Sequence, residues 1–498
     1  MTDTPSLLPP PAAPFDSDLE GADRPSIFRL VLRSSLTVVL VTVVQKLLAL
    51  LLFRALALHY GPSQFGHWNT ALAFVALFSV ITDSGIDAIV VREASARRSD
   101  LDRFVSTAVI AKMGLAVVAI ALCASIAAVM PYPSGVKVLI VLSALPLMLS
   151  FNSVYADVLQ ARLKIGHVKM VGLTVSVLTT AGGFAVIWAG WALTSLAVVN
   201  FVLALPSVIL YQRMAGAFVG ARLTFDRRVA SELLSESLPL AFSGMFGVIY
   251  YRLDTILLSV LGRSEAVGYY ASAYKISEAL NILPGALMIS VFPLMSRYAR
   301  NPVFQARLRV LYHTTFKYVL VVIAPVVITI CVLAEHIVLI VYSPAYLPAV
   351  AALRWIIWAE IGMFLSPVVY HLLIASGRQR LLIAGAASMA VLNLALNLVL
   401  LPRFGAVGAA AATTLTELLG LAIGLVLVRR LTGIRMPSNL SPVLVSLLPF
   451  SALVLVARGL PGAALPVVLA AACAGYTGLL FATGGLRMAE LRALVVRS

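Results

Sequence analysis

Apolar segments of 18 or more residues recur along nearly the whole of this 498-residue chain. A segment of that length crosses the hydrocarbon core of a bilayer as one α-helix. Hydrophobic residues make up 61% of the sequence, charged residues make up 12%, and the mean hydropathy is +1.00. A soluble protein of this size needs more charge to cover its surface. The short alternating segments of a membrane barrel are missing. The sequence therefore predicts an all-α, polytopic membrane protein.

The apolar segments predict about fourteen transmembrane helices. The first 26 residues are rich in proline and acid, and they predict a disordered cytosolic tail rather than a signal peptide. Cys123, Cys331 and Cys473 lie in separate apolar segments, so neither a disulfide nor a metal site is expected. The predicted spans lie at residues 36–58, 68–91, 105–130, 137–158, 170–190, 192–212, 238–261, 267–296, 314–334, 351–376, 381–402, 406–428, 441–458 and 463–485.

Basic residues are distributed unevenly among the predicted connections. The chain has 37 Lys and Arg against 21 Asp and Glu. Most of the basic residues lie in the two tails and after even-numbered spans, in segments such as REASARRSDLDR and RYARNPVFQARLR. The positive-inside rule then predicts that both termini lie in the cytosol. Because this charge is dispersed over many loops, the net +16 does not indicate a nucleic-acid partner.

Two predicted hairpins share a glycine pattern. YGPSQFGHWNTALAF follows the first span and contains Gly61 and Gly66, while LGRSEAVGYYASAYKI follows the seventh and contains Gly262 and Gly268. An even number of spans separates the two hairpins, which favours a parallel repeat of six plus six helices, although packing alone also produces glycine-bounded hairpins. The predicted units are lobes at 27–213 and 237–430, a cytosolic linker at 214–236, and two additional helices within 431–498.

Four segments of the chain resemble the polysaccharide branch of the multidrug/oligosaccharidyl-lipid/polysaccharide exporter superfamily. They are GPSQFGHWNTALAFVALFSVITDSGIDAIVVREAS, LPLAFSGMFGVIYYRLDTILLSVLGRSEAVGYYASAYKISEAL, YSPAYLPAVAALRWIIWAEIG and NLALNLVLLPRFGAVGAAAATTLTE. The resemblance implies a fold like that of the MATE transporters, with two lobes around a central cavity. It also implies a flippase, not an enzyme, that turns undecaprenyl-pyrophosphate-linked oligosaccharides across the bacterial inner membrane.

The implied partners of such a flippase are the bilayer, the lipid-linked oligosaccharide, and polysaccharide polymerase and chain-length proteins. Neither a cofactor nor a metal is implied. Two alternative functions are a lipid II flippase and a cation-coupled exporter of small molecules. The small-molecule exporter predicts a cavity dominated by carboxylates. A membrane enzyme would need a large loop domain or an acid cluster at one membrane face, and the sequence has neither.

Basic residues inside the spans are the candidates for binding an anionic head group. A charge at the bilayer centre costs about 2.5–3.5 kcal/mol on insertion scales, so it normally faces a partner or a wet cavity. Arg252 and Asp254 are two residues apart, about 200° around a helix, and therefore point to opposite sides. We expect Arg252 to face the lumen, because a guanidinium matches phosphate oxygens. The four candidates are Lys46, Arg54, Arg252 and Lys275. Packing against a carboxylate is the alternative for Lys46, and snorkelling to a span end for Arg54.

Carboxylates inside the spans have two predicted roles. Those predicted to couple transport to an ion are Asp83, Glu278, Glu360 and Glu417. Those predicted to form structural ion pairs are Asp87, which is near Arg92 in sequence, and Asp254. Lys275 and Glu278 are three residues apart on one helical face, so mutual pairing is an alternative to ligand binding. Lys112 has no evident partner in the sequence. Asn393 and Asn397 favour hydrogen bonding between helices.

Proline residues inside predicted spans mark points where a helix can bend, because each removes a backbone hydrogen bond. Static kinks and hinges for the movement of two lobes are both compatible with such a pattern. The residues concerned are Pro146, Pro206, Pro284, Pro293, Pro325 and Pro367.

Overall fold

The computed structural model describes residues 24–83, 85–96, 100–220, 223–437, 440–460 and 464–486. The predicted tail falls outside it up to residue 23. Eighteen α-helices follow one another in the described part of the chain. They are α1 Arg24–Asp83, α2 Ile86–Ala96, α3 Leu101–Val129, α4 Ser134–Ala144, α5 Asn152–Ala161, α6 Ile165–Trp188, α7 Leu193–Ala204, α8 Pro206–Ala215, α9 Arg227–Val260, α10 Ser264–Glu278, α11 Ile282–Ala299, α12 Gln305–Val332, α13 Ala334–Val341, α14 Ala349–Ala375, α15 Gln379–Phe404, α16 Ala406–Thr432, α17 Ser441–Ala457 and α18 Leu465–Ala482.

The first two predicted spans belong to one helical stretch of 60 residues, α1. At 1.5 Å per residue it would measure about 90 Å, three times the thickness of a hydrocarbon core. The stretch is interrupted at Gly61, whose backbone (φ 72°, ψ 174°) is not helical. Glycine tolerates this conformation, and Pro62 then starts the next helix at once because its φ is already helical. The predicted loop between the two spans is therefore reduced to a break at one residue.

All fourteen predicted spans fall on helices, but fourteen separate membrane-spanning helices are not confirmed. By length and hydropathy, eleven helices in the described residues qualify as spans, and a bent pair makes up to twelve. The bent pair is Arg227–Pro239 and Gly244–Val260, which meet at 56° within α9. The count is lower because residues 37–96 are counted as one span despite the break at Gly61, and because α17 has only 17 residues. The chain is a multi-pass, all-helical membrane protein.

Three of the six proline residues coincide with breaks in helices. Pro146 lies in a 3₁₀ turn between α4 and α5, and Pro206 begins α8 directly after α7. Pro284 follows the 3₁₀ turn Ala279–Asn281 in the first turn of α11. Pro293, Pro325 and Pro367 instead lie inside continuous helices. A proline near a helix start costs little, because the N–H that it lacks would have no partner there.

One hydrophobic core joins the first and second halves of the chain. It contains Phe65 of α1, Tyr270 of α10 and Tyr346 from the turn before α14. Phe65 and Tyr346 meet with ring centroids 6.2 Å apart, and the Tyr346 hydroxyl donates to the carbonyl of Ala57 at 3.0 Å. This core closes one end of the molecule, which we call the hairpin end because it contains the breaks at Gly61 and Gly262.

Smaller cores lie within each half. One packs α2, α3 and α5 around residues such as Val90, Phe104 and Val154. Another packs α11, α12, α14 and α16 in the second half. The last two helices form a separate core with α12, in which Phe450 and Tyr476 lie 5.4 Å apart. The division into lobes at 27–213 and 237–430 stays a prediction.

Candidate functional site

A cavity of about 370 Å³, lined mainly by apolar surface but containing three charged side chains, lies between the first and second halves of the chain. Its charged lining residues are Lys46 of α1 and Lys275 and Glu278 of α10, and Gln45 adds an amide. At 1.5 Å per residue, Lys46 and Lys275 lie about 20 Å along their helices from Gly61 and Gly262. The cavity therefore lies well inside the bundle, away from the closed hairpin end.

Lys275 is held at the cavity by two neighbours. Its ammonium group lies 2.9 Å from the Glu278 carboxylate and 4.4 Å from the centre of the Phe53 ring. The pair with Glu278 is the one predicted from their spacing on one helical face. The aromatic contact comes from α1 and could not be predicted from the sequence around Lys275. Together the two contacts fix the ammonium group on the cavity wall.

Lys46 and Arg252 are the less restrained cations at this site. Lys46 is exposed to the cavity, and neither residue has a hydrogen bond or ion pair with the described part of the chain. Arg252 is half-buried and is not a lining residue, but its charge and those of Lys275 and Lys46 all act on the Glu278 carboxylate. One cation, Lys275, thus pairs with the carboxylate, and the charges of two more act on it from farther away. The local charge is positive and not dominated by acid.

Asp254 lies on the buried side of α9, away from Arg252. It is 2% exposed and accepts hydrogen bonds from the hydroxyls of Tyr270 and Thr413. The prediction that Asp254 forms a structural ion pair is therefore wrong, because the described side chains that donate to it are hydroxyls from α10 and α16 and not cations. Those donors are distant in sequence, so the pattern around Asp254 does not reveal them.

Arg54 is not brought to the cavity. Its side chain is exposed, and its Nε donates to the carbonyl of Val341 at 2.8 Å. That carbonyl is at the last residue of α13, where helix carbonyls lack partners within the helix. Lys317 of α12 is 5% exposed, because this helix begins at Gln305 and places Lys317 well inside it.

Glu360 and Glu417 lie on neighbouring helices of the second half. Glu360 is fully buried, accepts a hydrogen bond from Ser277 through Oε1, and has no partner at Oε2. Glu417 accepts from the hydroxyl of Tyr250 at 2.7 Å. Ser277 and Tyr250 were missed by the sequence analysis because their helices are remote in the chain. A role in ion coupling stays a prediction for both acids.

Asp87 is paired, but not with the residue that its sequence position suggests. Lys112 of α3 is fully buried and contacts the Asp87 carboxylate at 2.5 Å. Arg92 pairs with Glu93 at 3.1 Å and Glu236 at 2.5 Å. Asp87 thus forms the predicted kind of ion pair, but its partner is Lys112 and not Arg92. Asp83, one turn before Asp87, is exposed at the end of α1.

The described residues contain no group of three or more His, Cys, Asp or Glu side chains placed to hold a metal ion. Cys123, Cys331 and Cys473 are free thiols. The charged groups that line the cavity are the ammonium groups of Lys46 and Lys275 and the carboxylate of Glu278.

Residues 55–351 match the protein family described as "Polysaccharide biosynthesis protein". The match covers more than half of the chain. The chain belongs to this family.

A relative in Haloferax volcanii, named "Probable low-salt glycan biosynthesis flippase Agl15", is 26% identical over 52% of this chain and 54% of its own length. The "Uncharacterized membrane protein MJ1068" of Methanocaldococcus jannaschii is 23% identical over 41% of this chain and 40% of its own length. The chain thus spans about half the length of the curated relatives it matches.

Solved structures of transporters share the fold. A structure described as the lipid II flippase MurJ in an inward closed conformation gives a TM-score of 0.74 at 14% identity, covering 88% of this chain and 97% of that one. An inward-facing MATE family multidrug transporter of the MOP superfamily gives 0.59 at 13% identity, covering 78% and 96%. The expected MATE-like fold is confirmed.

Proposed function

We propose that this protein moves undecaprenyl-pyrophosphate-linked oligosaccharides across the bacterial inner membrane by alternating access. The observation that carries the proposal is the cation-rich cavity, which is lined by Lys46, Lys275 and the carboxylate of Glu278, with the charge of Arg252 acting on that carboxylate from behind the lining. Cations inside a bilayer are costly and normally face a partner or a wet cavity. An anionic head group would supply the missing partner.

A pyrophosphate matches the arrangement of these cations. Lys46 and Arg252 have no hydrogen bond or ion pair with the described residues, so both are available to a ligand. A guanidinium donates to two phosphate oxygens at once, and an ammonium acts as a compact positive charge. We therefore assign Arg252 to orient the head group and Lys46 and Lys275 to neutralise it. The prenyl chain would remain in the lipid.

The closed hairpin end supports an alternating-access cycle. The core that contains Phe65, Tyr270 and Tyr346 blocks that end of the bundle. In the topology that the positive-inside rule predicts, both termini are cytosolic and the hairpin end faces the periplasm. Substrate would enter from the cytosolic side and leave after the two halves separate at the hairpin end. Polymerase and chain-length proteins would act on the product in the outer leaflet.

The first test measures binding of undecaprenyl pyrophosphate to the purified full-length protein in nanodiscs. We expect Arg252→Gln and Lys46→Gln each to weaken binding by about tenfold, equivalent to about 1.4 kcal/mol. Arg252→Lys should lose less, since it keeps the charge without the planar fork. Arg458→Gln is the matched control, because this arginine lies 3.6 Å from Glu335 and does not line the cavity.

The second test measures surface polysaccharide and membrane abundance in a strain without the native gene. Arg252→Gln should nearly abolish export at near-normal abundance. Full export and unchanged lipid binding in Arg252→Gln would contradict the proposed site. Rescue of a strain depleted of its lipid II flippase would favour the lipid II alternative. Transport of small organic cations with no binding of undecaprenyl pyrophosphate would favour the small-molecule alternative.

A further inference from the structure

A buried polar cluster lies in the first half of the chain, on helices that do not line the cavity. Lys112 of α3 is fully buried, and its ammonium donates to Asp87 of α2 and to the hydroxyl of Ser153 of α5, each at 2.5 Å. Ser153 in turn donates to the same oxygen of Asp87 at 2.8 Å. The apolar core around Val90 and Phe104 surrounds these groups.

Asp157 adds a second carboxyl group to this cluster. It lies one turn after Ser153 on α5, is 8% exposed, and has no hydrogen-bond partner at Oδ2. Ser153 and Asp157 are one turn apart on the same face of α5, so the Asp157 carboxyl group lies on the side of α5 that contacts Asp87. Two ionised carboxylates side by side repel each other, and neither has a hydrogen to donate. A proton shared between the two carboxyl groups removes the repulsion and supplies a donor.

The charge balance of the cluster leads to the same conclusion. Asp87 and Asp157 as carboxylates with Lys112 as ammonium give a net charge of −1, and Asp157, the carboxylate without a cation of its own, is buried. An uncompensated buried charge is strongly unfavourable. One added proton brings the cluster to neutrality, and a second one would leave Lys112 without a counter-charge. The cluster is therefore matched to a single proton.

The proton has a path to the outside through Asp87. The side chain of Asp87 is 37% exposed, whereas Asp157 and Lys112 are buried behind it. The titratable groups that act on the cluster from the surrounding helices are Asp83 at the end of α1 and Tyr211 on α8. Asp83 is exposed, so it can pass a proton between water and Asp87.

We propose that Asp87 and Asp157 together bind one exchangeable proton, with Lys112 as the fixed counter-charge. The proton site itself is inferred from this geometry alone. Its role in coupling proton movement to flipping rests on the function proposed above. It lies in the first half, apart from the cations of the cavity, so protonation can alter the packing of α2, α3 and α5 without occupying the substrate site.

Infrared spectroscopy of the purified full-length protein at neutral pH tests the proposal without any substrate. A protonated carboxyl group has a C=O band distinct from the bands of a carboxylate. We expect the wild-type spectrum minus that of Asp157→Asn to contain one such band. Asp87→Asn should remove the same band, because Asp157 then ionises as the only counter-charge to Lys112. Asp102→Asn is the control, since this exposed acid accepts from the N–H of Gly220 at 2.8 Å, and it should leave the band unchanged.

The same preparations give a count of bound protons by potentiometric titration. We expect Asp157→Asn and Asp87→Asn each to bind one proton fewer than wild type at neutral pH. An unchanged band and proton count in Asp157→Asn would overturn the proposal. Retention of the band in Asp87→Asn would also overturn it, because Asp157 would then hold its proton without sharing it. These outcomes do not depend on whether lipid-linked sugars are transported.

Discussion

Gly66 and Gly268 pack against each other reciprocally where the helix after Gly61 crosses α10. A Cβ atom at Gly66 would overlap the carbonyl of Ser264 and lie 3.1 Å from the N of Gly268. A Cβ atom at Gly268 would overlap the carbonyl of Pro62. Each glycine thus contacts the residue that lies four positions before the other glycine in the sequence. A two-fold relation between the two hairpins would produce this reciprocity, which supports the predicted repeat.

Gly66→Ala and Gly268→Ala should each destabilise the closed hairpin end by a similar amount. The obstructing atoms belong to backbone, so the helices must move apart, at a cost of about 1–3 kcal/mol typical of overpacking. The double variant should cost less than the sum, because one separation accommodates both methyl groups. Thermal unfolding of the purified protein measures the change.

Gly114→Ala is the control for this crossing, since nothing lies within 4 Å of an added Cβ there. It should be neutral or slightly stabilising, because alanine favours the helix. Equal stability of Gly66→Ala, Gly268→Ala and Gly114→Ala would contradict the close approach of the two helices.

Asp254 should depend on its hydroxyl donors for folding. Tyr270→Phe removes one donor to a buried acid group, which typically costs about 1–3 kcal/mol. Asp254→Asn should lower membrane abundance, since one amide oxygen can still accept from Tyr270 and Thr413, but the NH₂ group then faces the N–H of Thr255, which donates to the other oxygen of Asp254. Tyr274→Phe is the control, because the Tyr274 hydroxyl has no hydrogen bond within the described residues. Normal abundance of Asp254→Asn and Tyr270→Phe would rule out a folding role.

The outcomes at Lys275 and Lys112 illustrate which contacts a sequence predicts. Lys275 and Glu278 are three residues apart on one helix, so helical geometry alone brings them together, and they lie 2.9 Å apart. Lys112 and Asp87 lie on different helices, and only the packing of α2 against α3 joins them. Local pairs follow from periodicity, whereas pairs between helices depend on which faces pack.

The same distinction applies to the fold. Apolar length predicts that each span is a helix, because a bilayer requires internal backbone hydrogen bonds. It does not predict how two spans connect. The break at Gly61 replaces an expected loop, since the non-helical residue is a single glycine followed by Pro62. The cavity, formed by Lys46 and Lys275 from different hairpins, likewise requires the tertiary arrangement.

Asp226 should give a pH-dependent contribution to stability at the start of α9. The N–H of Arg228 donates to its carboxylate at 2.8 Å. This bond, with the N–H of Val229 and the charge of Arg103, lowers the pKa of Asp226 below 3.8. The stabilisation is therefore complete above that pH and is lost as the pH falls through the lower, folded-state pKa.

Thermal unfolding of wild type and Asp226→Ala at several pH values measures this contribution. The melting temperatures should differ at pH 7 and converge in strong acid. Asp226→Asn keeps a capping oxygen without a titrating group, so its difference from Asp226→Ala should not vary with pH. A pH-independent gap between wild type and Asp226→Ala would contradict the assignment.

Reporter fusions test the predicted orientation. A reporter after Arg430, at the end of α16, should lie in the cytosol, and one within residues 132–135, between α3 and α4, should lie in the periplasm. The reason is the excess of basic residues near the first position. Alkaline phosphatase and fluorescent-protein activities locate the two sites. Placement of both reporters on the same side, or their exchange, would contradict the topology.

Glu278→Gln should tighten the binding of undecaprenyl pyrophosphate. Glu278 pairs with Lys275 and is the one carboxylate among the charged lining residues, so it opposes an anionic ligand. Its removal leaves Lys275 free to donate to phosphate, and we expect a gain of about three- to tenfold in affinity, or about 0.7–1.4 kcal/mol.

Glu335→Gln, remote from the cavity, is the control. If Glu278→Gln exports polysaccharide at the wild-type rate, Glu278 acts only as a counter-charge to Lys275. If the variant binds the lipid more tightly but does not export polysaccharide, Glu278 takes part in ion coupling. Weaker binding in Glu278→Gln, at normal abundance, would mean that Lys275 must be held by Glu278 to reach the ligand, and would contradict a simple repulsion between acid and head group.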